Sequence, residues 1–206
     1  MKTKPTKIYF VSPGKKPSTR EEEKLQEDLR ELFSIISDAW NSYEIWLILI
    51  HKNNRGNYFQ SLFHFKNFFE PCAFAHINML IVDLYKLYDR KNLSLPKILK
   101  DAQTIGILSR SEVEKMDRKI KEAKLIWSKI TILRSNLFAH RSCKLTKSAI
   151  YKKAKIKPNH IKRLIELSVK IFNMVYVKVH KRRRNLDDGT RQYTHKLLQL
   201  INKNLQ

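Results

Sequence analysis

Leu25, Leu29, Leu32, Phe33, Ile36, Trp40, Tyr43, Leu47 and Ile50 recur mostly at steps of three and four residues. That spacing lays them along one face of a helix. Ser18 or Thr19, each followed three residues later by a glutamate, supplies a start signal. The pattern predicts a helix from there to between His51 and Gly56. A second helix is predicted from about Tyr58 to Tyr88, with Leu62, Phe65, Phe69, Ala73, Ile77, Leu80, Leu84 and Leu87 on its stripe. Pro71 inside it predicts a kink or break, because proline lacks the N–H that the helix ladder needs. Ser94 to Ala102 reads as a minor helix with Pro96 in its first turn. Ser109 with Glu112, or Ser111 with Glu114, opens a third long helix reaching about Phe138. Its stripe is Ile120, Ala123, Ile126, Trp127, Ile130, Leu133 and Leu137. A fourth long helix follows Pro158, with Ile161, Leu164, Leu167, Ile171, Met174 and Val175 apolar. Gly189 then permits a turn, and Tyr193 to Ile201 forms a last amphipathic helix.

Helices of this kind bury their stripes against one another, so the predicted fold is all-α: an antiparallel bundle of four long helices plus short ones. The 206 residues suffice for one such core. Residues 1–18, with three prolines, a glycine and several lysines, read as a basic arm, with one short extended piece at Ile8 to Val11. Residues 19–206 read as a single domain. The stripes are wide and rich in aromatics, which leaves room for a homodimer interface. Phe65, Phe68, Phe69 and Phe74 are read as core.

Charge changes the picture. The formal balance is +23, a field that draws polyanions. A general lysine-rich bias is the plain alternative. However, the excess concentrates between Arg141 and Arg184, where Glu166 is the only acidic residue. Arg141, Lys144, Lys147, Lys152, Lys153, Lys181, Arg182, Arg183 and Arg184 are therefore the candidate RNA-binding residues. Such contacts neutralise phosphates and release counterions, without reading sequence. The run Lys181 to Arg184 could equally be a solvated helix end.

Two isolated cysteines, Cys72 and Cys143, build neither a disulfide framework nor a zinc site. They read as free thiols of a reducing compartment, and the chain as cytoplasmic. No apolar signal core follows the basic start. Trp46 to Ile50, and Ile77 to Leu87 with Asp83 inside it, are too short to span a bilayer, so no membrane partner is expected. His51, His64, His76, His160, His180 and His195 are scattered. His76, with Asp83 seven residues on, reads as a hydrogen-bonded core histidine, and Asp89 as a local helix-end partner.

Arg134 and His140 are the chemically interesting pair. If the helix stays α-helical, they lie about 120° apart and roughly 9 Å along the axis. Both would flank the buried stripe, where water is partly excluded. Across a twofold axis, two of each would meet in one cleft. A neutral imidazole can take the proton of a ribose 2′-hydroxyl, or its protonated form can supply one to the leaving oxygen. A guanidinium holds a phosphate as charge builds on it. Asn136 can orient either group. This chemistry calls for no cofactor and no metal, and DNA would not react. On spacing alone, a histidine at a helix end and an arginine beside a stripe are also common structural features.

The segment Ile132-Leu133-Arg134-Ser135-Asn136-Leu137-Phe138-Ala139-His140-Arg141 resembles the motif of HEPN-domain proteins, an arginine and a histidine separated by four to six residues. Within them it is most similar to the AbiU2-like branch associated with bacterial abortive infection. Leu84 to Asp89, Leu93 to Lys97 and Ile156 to Ile165 also resemble that branch, so the likeness covers about residues 20 to 180. It implies an all-helical bundle, frequent dimerisation and, in many members, metal-independent endoribonuclease activity. By the motif, Arg134 and His140 are the catalytic pair, with Ser135 and Asn136 as auxiliary polar residues. The family often carries asparagine directly after the arginine, where this chain has Ser135. The expected function is RNA cleavage in phage defence or as a toxin. Its rivals are a non-catalytic RNA-binding module, and a protein that partners an antitoxin or another defence component.

Overall fold

The computed structural model describes residues 20–139 and 147–205, and at positions 55, 137–139, 147–148 and 151 the backbone alone. The arm, the strand at Ile8 to Val11, the caps at Ser18 and Thr19, and Cys143 lie outside the described residues. Among those residues every regular element is helical, as the spacing predicts. α1 spans Arg20–Ile50, α2 Lys52–Asn57, α3 Phe59–His64, α4 Lys66–Lys86 and α5 Leu95–Thr104. α6 spans Arg110–Leu133 and continues into a π-helical turn, Arg134–Ala139. After it come α7 Lys147–Ala154, α8 Pro158–His180 and α9 Gly189–Asn204.

α1, α4, α6 and α8 carry the core, with α5 closing one end. Leu29, Leu32 and Ile36 of α1 meet Leu80, Ile81 and Leu84 of α4 and Leu164, Ile171 and Phe172 of α8, all buried. Burying one such side chain contributes about 1.5–3 kcal/mol. Inside the core, the Tyr88 hydroxyl bonds the Ser168 hydroxyl at 2.9 Å, so the buried phenol is satisfied. Gly106, with φ of +76°, closes α5 in a left-handed turn, and the N–H groups of Ile107 and Leu108 return to the Ala102 carbonyl.

α6 opens with the predicted capping box. The Glu112 N–H donates to Ser109 Oγ, and the Ser109 N–H donates to the Glu112 carboxylate at 2.9 Å. Ser109→Ala is expected to cost about 1 kcal/mol. Urea denaturation measures this, and an unchanged midpoint would contradict it.

Several features differ from the sequence expectation. The single helix from Tyr58 to Tyr88 is instead α3 and α4, separated at Phe65 (φ −104°, ψ 32°), with α2 before them. α4 is not broken at Pro71, so the missing N–H removes one ladder bond without ending the helix. Phe65, Phe68 and Phe74 are exposed, and only Phe69 of the four is buried. α7 was not foreseen, and α9 is longer at both ends than Tyr193 to Ile201.

α9 returns across α1. Trp40 Nε1 donates to the Asp187 carbonyl at 2.9 Å, and Thr190 Oγ1 donates to Asn41 Oδ1 at 2.8 Å. The buried Glu44 faces Arg191 at 3.6 Å. At the far end α3 joins them, where Ser61 Oγ donates to Asn202 Oδ1 and the Tyr58 hydroxyl meets His195 Nδ1.

Burial lowers the pKa of His76, His180 and His195, and of His160, where Lys129 and Lys157 add repulsion. A histidine with a depressed folded value binds its proton more readily in the unfolded chain, so stability rises with pH. The stabilising contribution is complete above the unfolded value of about 6.5 and is lost as pH falls below it. Urea midpoints are expected to drop between about pH 7.5 and pH 5.5, the span that brackets that value. A flat or rising profile toward acid would contradict this.

Candidate functional site

α6 does not unravel at its end; its winding changes. From Arg134 the backbone adopts the wider π turn. Asn136 sets a local cause, because its Nδ2 donates to the Ile132 carbonyl at 2.7 Å. That oxygen is the one an α-helical Asn136 N–H would take, so the side chain competes with the backbone ladder. Residues to Ala139 are helical as predicted, whereas His140, and with it the 120° relation to Arg134, lies outside the described residues. Single π turns recur at functional sites.

Arg134 is half-buried, with its guanidinium carbon 4.5 Å from the centre of the Tyr85 ring. Tyr85 in turn stacks on Trp127, centroids 5.6 Å apart and planes at 26°. Trp127 Nε1 donates to the Tyr85 carbonyl at 3.0 Å, which locks that pair. The cation therefore rests on a column of two rings, a contact of about 0.5–2 kcal/mol. Among the described residues no carboxylate pairs with Arg134. The nearest in sequence to Tyr85, Asp83, bonds Lys86 at 3.3 Å. A guanidinium fixed on one face and not neutralised keeps its donor edge for an anion.

The sequence reading missed Tyr85 and Trp127 as supports. The signal was present: Trp127 lies about two helical turns before Arg134 and so on the same face. Ser135 and Asn136 share the π turn with Arg134, and both are half-buried. His140, Arg141 and Lys144 lie outside the described residues, and Lys147 is described only as the first backbone unit of α7. Lys152 and Lys153 are exposed on α7, which packs against α6 and the π turn. Lys129 Nζ reaches the Lys155 carbonyl at 3.5 Å, which adds two lysines to that end of the bundle.

The other basic residues are elsewhere. Lys181 ends α8 in the left-handed conformation, φ 56°. Lys181, Arg182 and Arg183 are exposed. Arg184 is structural: its N–H donates to Asn173 Oδ1, and its guanidinium bonds the Tyr176 hydroxyl at 3.0 Å and lies over the Phe33 and Tyr176 rings. His76 bonds the Ser42 hydroxyl at 3.4 Å, not Asp83, in keeping with a structural role. His160 Nδ1 accepts the Lys157 N–H at 3.2 Å and so serves the start of α8. Asp89 binds locally, to the Lys91 N–H and to Asn92. Among the described residues no three His, Cys, Asp or Glu side chains gather as a metal-binding group, and no helix is long and apolar enough to cross a membrane.

Among known families, the one described as AbiU2, of the HEPN type, matches residues 22–200. The matched span takes in nearly all of α1, the whole of α4, α6 and α8, the π turn and most of α9. No curated protein and no solved structure matches the chain.

Proposed function

The chain belongs to the AbiU2 family of HEPN proteins, and on that premise we propose that it is a metal-independent endoribonuclease of abortive infection, acting on RNA in the cytoplasm. His140 draws the proton from a ribose 2′-hydroxyl, whose oxygen attacks the adjacent phosphorus. The 5′-oxygen leaves with a proton supplied by an imidazolium, and a 2′,3′-cyclic phosphate remains. Arg134 binds the non-bridging oxygens while charge grows on them. In this reading Asn136 and Ser135 adjust the phosphate, and Lys152 and Lys153 draw the backbone in. The observation that carries this reading is Arg134 itself, held on Tyr85 with no carboxylate pairing with it among the described residues. The test is incubation of RNA with wild type and His140→Ala in EDTA; equal cleavage by both would overturn the assignment.

The active species in this reading is a homodimer, so that two arginines and two histidines share one cleft. α4 supplies the face. Beside Tyr85 it carries a 410 Å³ groove lined by Asn78, Met79, Val82, Asp83 and Lys86. Met79 is 51% exposed and Val82 37%. Exposed apolar side chains lining a groove mark an interaction surface, which supports a second chain covering this face. Met79→Asp with Val82→Asp is expected to turn a dimer into a monomer in light scattering and to remove cleavage. A variant that stays dimeric would exclude this face.

One observation favours an additional protein partner, such as an antitoxin. On α3, Phe59 and Phe63 are 61% and 63% exposed and stack on each other at 5.4 Å, with Phe68 of α4 also exposed. Exposed apolar patches of this kind mark interaction surfaces.

A further inference from the structure

The densest basic run of the chain is not beside Arg134. α6 and α8 are antiparallel: Glu112 pairs with Lys178 at 2.6 Å, Glu122 with Arg163 at 2.7 Å, and Lys129 meets His160 at 3.5 Å. The end of α8, with Lys181 to Arg183 after it, therefore lies by the start of α6. Arg134 stands at the other end. From Met116 to Arg134 the axis rises about 27 Å.

A cleft of 490 Å³ opens at the start of α6. Met116, Val169 and Val177 are among its apolar lining residues, and Lys170, Arg183 and Asn185 among its polar ones. Lys170, Arg183 and Asn185 are exposed. The segment bearing Arg183 is fixed, because Asn173 holds the Arg184 backbone at both amide ends, each at 2.8 Å. The volume lies within the roughly 300–1,000 Å³ usual for small-ligand sites.

We infer that this cleft is a second RNA contact, which takes one unstacked base against Met116, Val169 and Val177 while Lys170 and Arg183 hold neighbouring phosphates. The inference rests on the RNA reading above. A base fits because it offers a flat apolar face to the floor and a hydrogen-bonding edge to Asn185. Duplex RNA keeps its bases stacked and cannot use the cleft. A strand touching both sites must cover the distance to Arg134, roughly eight nucleotides at about 3.4 Å per stacked nucleotide. The protein thus favours long, single-stranded RNA over short fragments.

Fluorescence anisotropy with an unstructured 20-nucleotide RNA, a trinucleotide and a 20-base-pair RNA duplex tests this. The proteins are wild type, the double variant Lys170→Gln with Arg183→Gln, and Val177→Trp, which fills the cleft. Both variants are expected to weaken 20-nucleotide binding at least about tenfold, the order of losing one base contact and its stacking. The trinucleotide, which cannot span both sites, should bind wild type far more weakly than the 20-nucleotide RNA, and duplex affinity should stay within about twofold in both variants, since stacked bases do not use the cleft base contact. The salt slope should fall by about 1.4 in the charge variant, at about 0.7 per single-strand phosphate, and stay unchanged in Val177→Trp. The charge variant replaces only exposed side chains, so it decides the matter if the tryptophan perturbs folding. Unchanged 20-nucleotide binding by the double variant, with wild type binding well, overturns the cleft and leaves the RNA reading standing. An equal loss for the duplex also overturns it. Preference of the wild-type cleft for polyglutamate over RNA overturns it in favour of an acidic protein. Absence of any salt-sensitive RNA binding by wild type removes the underlying reading as well.

Discussion

His140→Ala is expected to slow RNA cleavage by about 10²–10⁴, the range that positioned acid–base catalysis supplies. Its melting temperature should match wild type. Arg134→Ala should lose about 10²–10³, as removal of one preorganised charge-stabilising donor does. The loss should fall on kcat, because the clamp gains strength only as charge develops. Arg134→Lys should not recover it. An ammonium keeps the charge but has neither the flat face that rests on Tyr85 nor the paired donors for a phosphate. Because the two residues act on one step, the double variant should be little worse than the poorer single one. Single-turnover kinetics with one labelled RNA checks all four proteins. Recovery by lysine would show that the column of Tyr85 and Trp127 does not matter to the chemistry.

Phe172→Ala is expected to destabilise the fold by about 3–5 kcal/mol. Phe172 is fully buried and lies 5.4 Å from the Phe33 ring and 5.2 Å from the Tyr176 ring. Arg184 caps the same cluster from above Phe33 and Tyr176. Truncation leaves a cavity and loosens the seat of the segment after α8. At about 2–4 °C per kcal/mol for a chain of this size, the melting temperature should fall by roughly 6–20 °C. Differential scanning calorimetry measures it, and a fall of only a degree or two would mean that this cluster is not the centre of the core.

The strongly periodic helices were legible before any coordinates. The stripes of α1, α6 and α8 face the core as the steps of three and four require, and Ser109 with Glu112 marks the start of α6 to the residue. The stretch from 52 to 88 was not legible, because periodicity reports a face and not its continuity. The break falls at Phe65, a residue with no special backbone preference, whereas Pro71 passed inside α4. Nor does periodicity say whether a face is covered. Phe65, Phe68 and Phe74 have core-like spacing yet stand exposed. In the site, Arg134 was found from its motif. The π turn was hidden, because it depends on Asn136 competing for one carbonyl. Among the described basic residues, the antiparallel path of α8 against α6 separates Lys152 and Lys153 from Lys181 to Arg183 at the other end of the bundle, and Arg184 packs on Phe33 and Tyr176.

The most direct test of the account is the chemistry at the cut. An RNA carrying a single scissile position would be incubated with the protein in EDTA, and its fragments examined for their end groups, beside a copy with a 2′-deoxyribose at that position. The account predicts a 2′,3′-cyclic phosphate on the upstream fragment and no cleavage of the deoxy copy. A 3′-hydroxyl facing a 5′-phosphate, or cutting of the deoxy copy at the same rate, would contradict it.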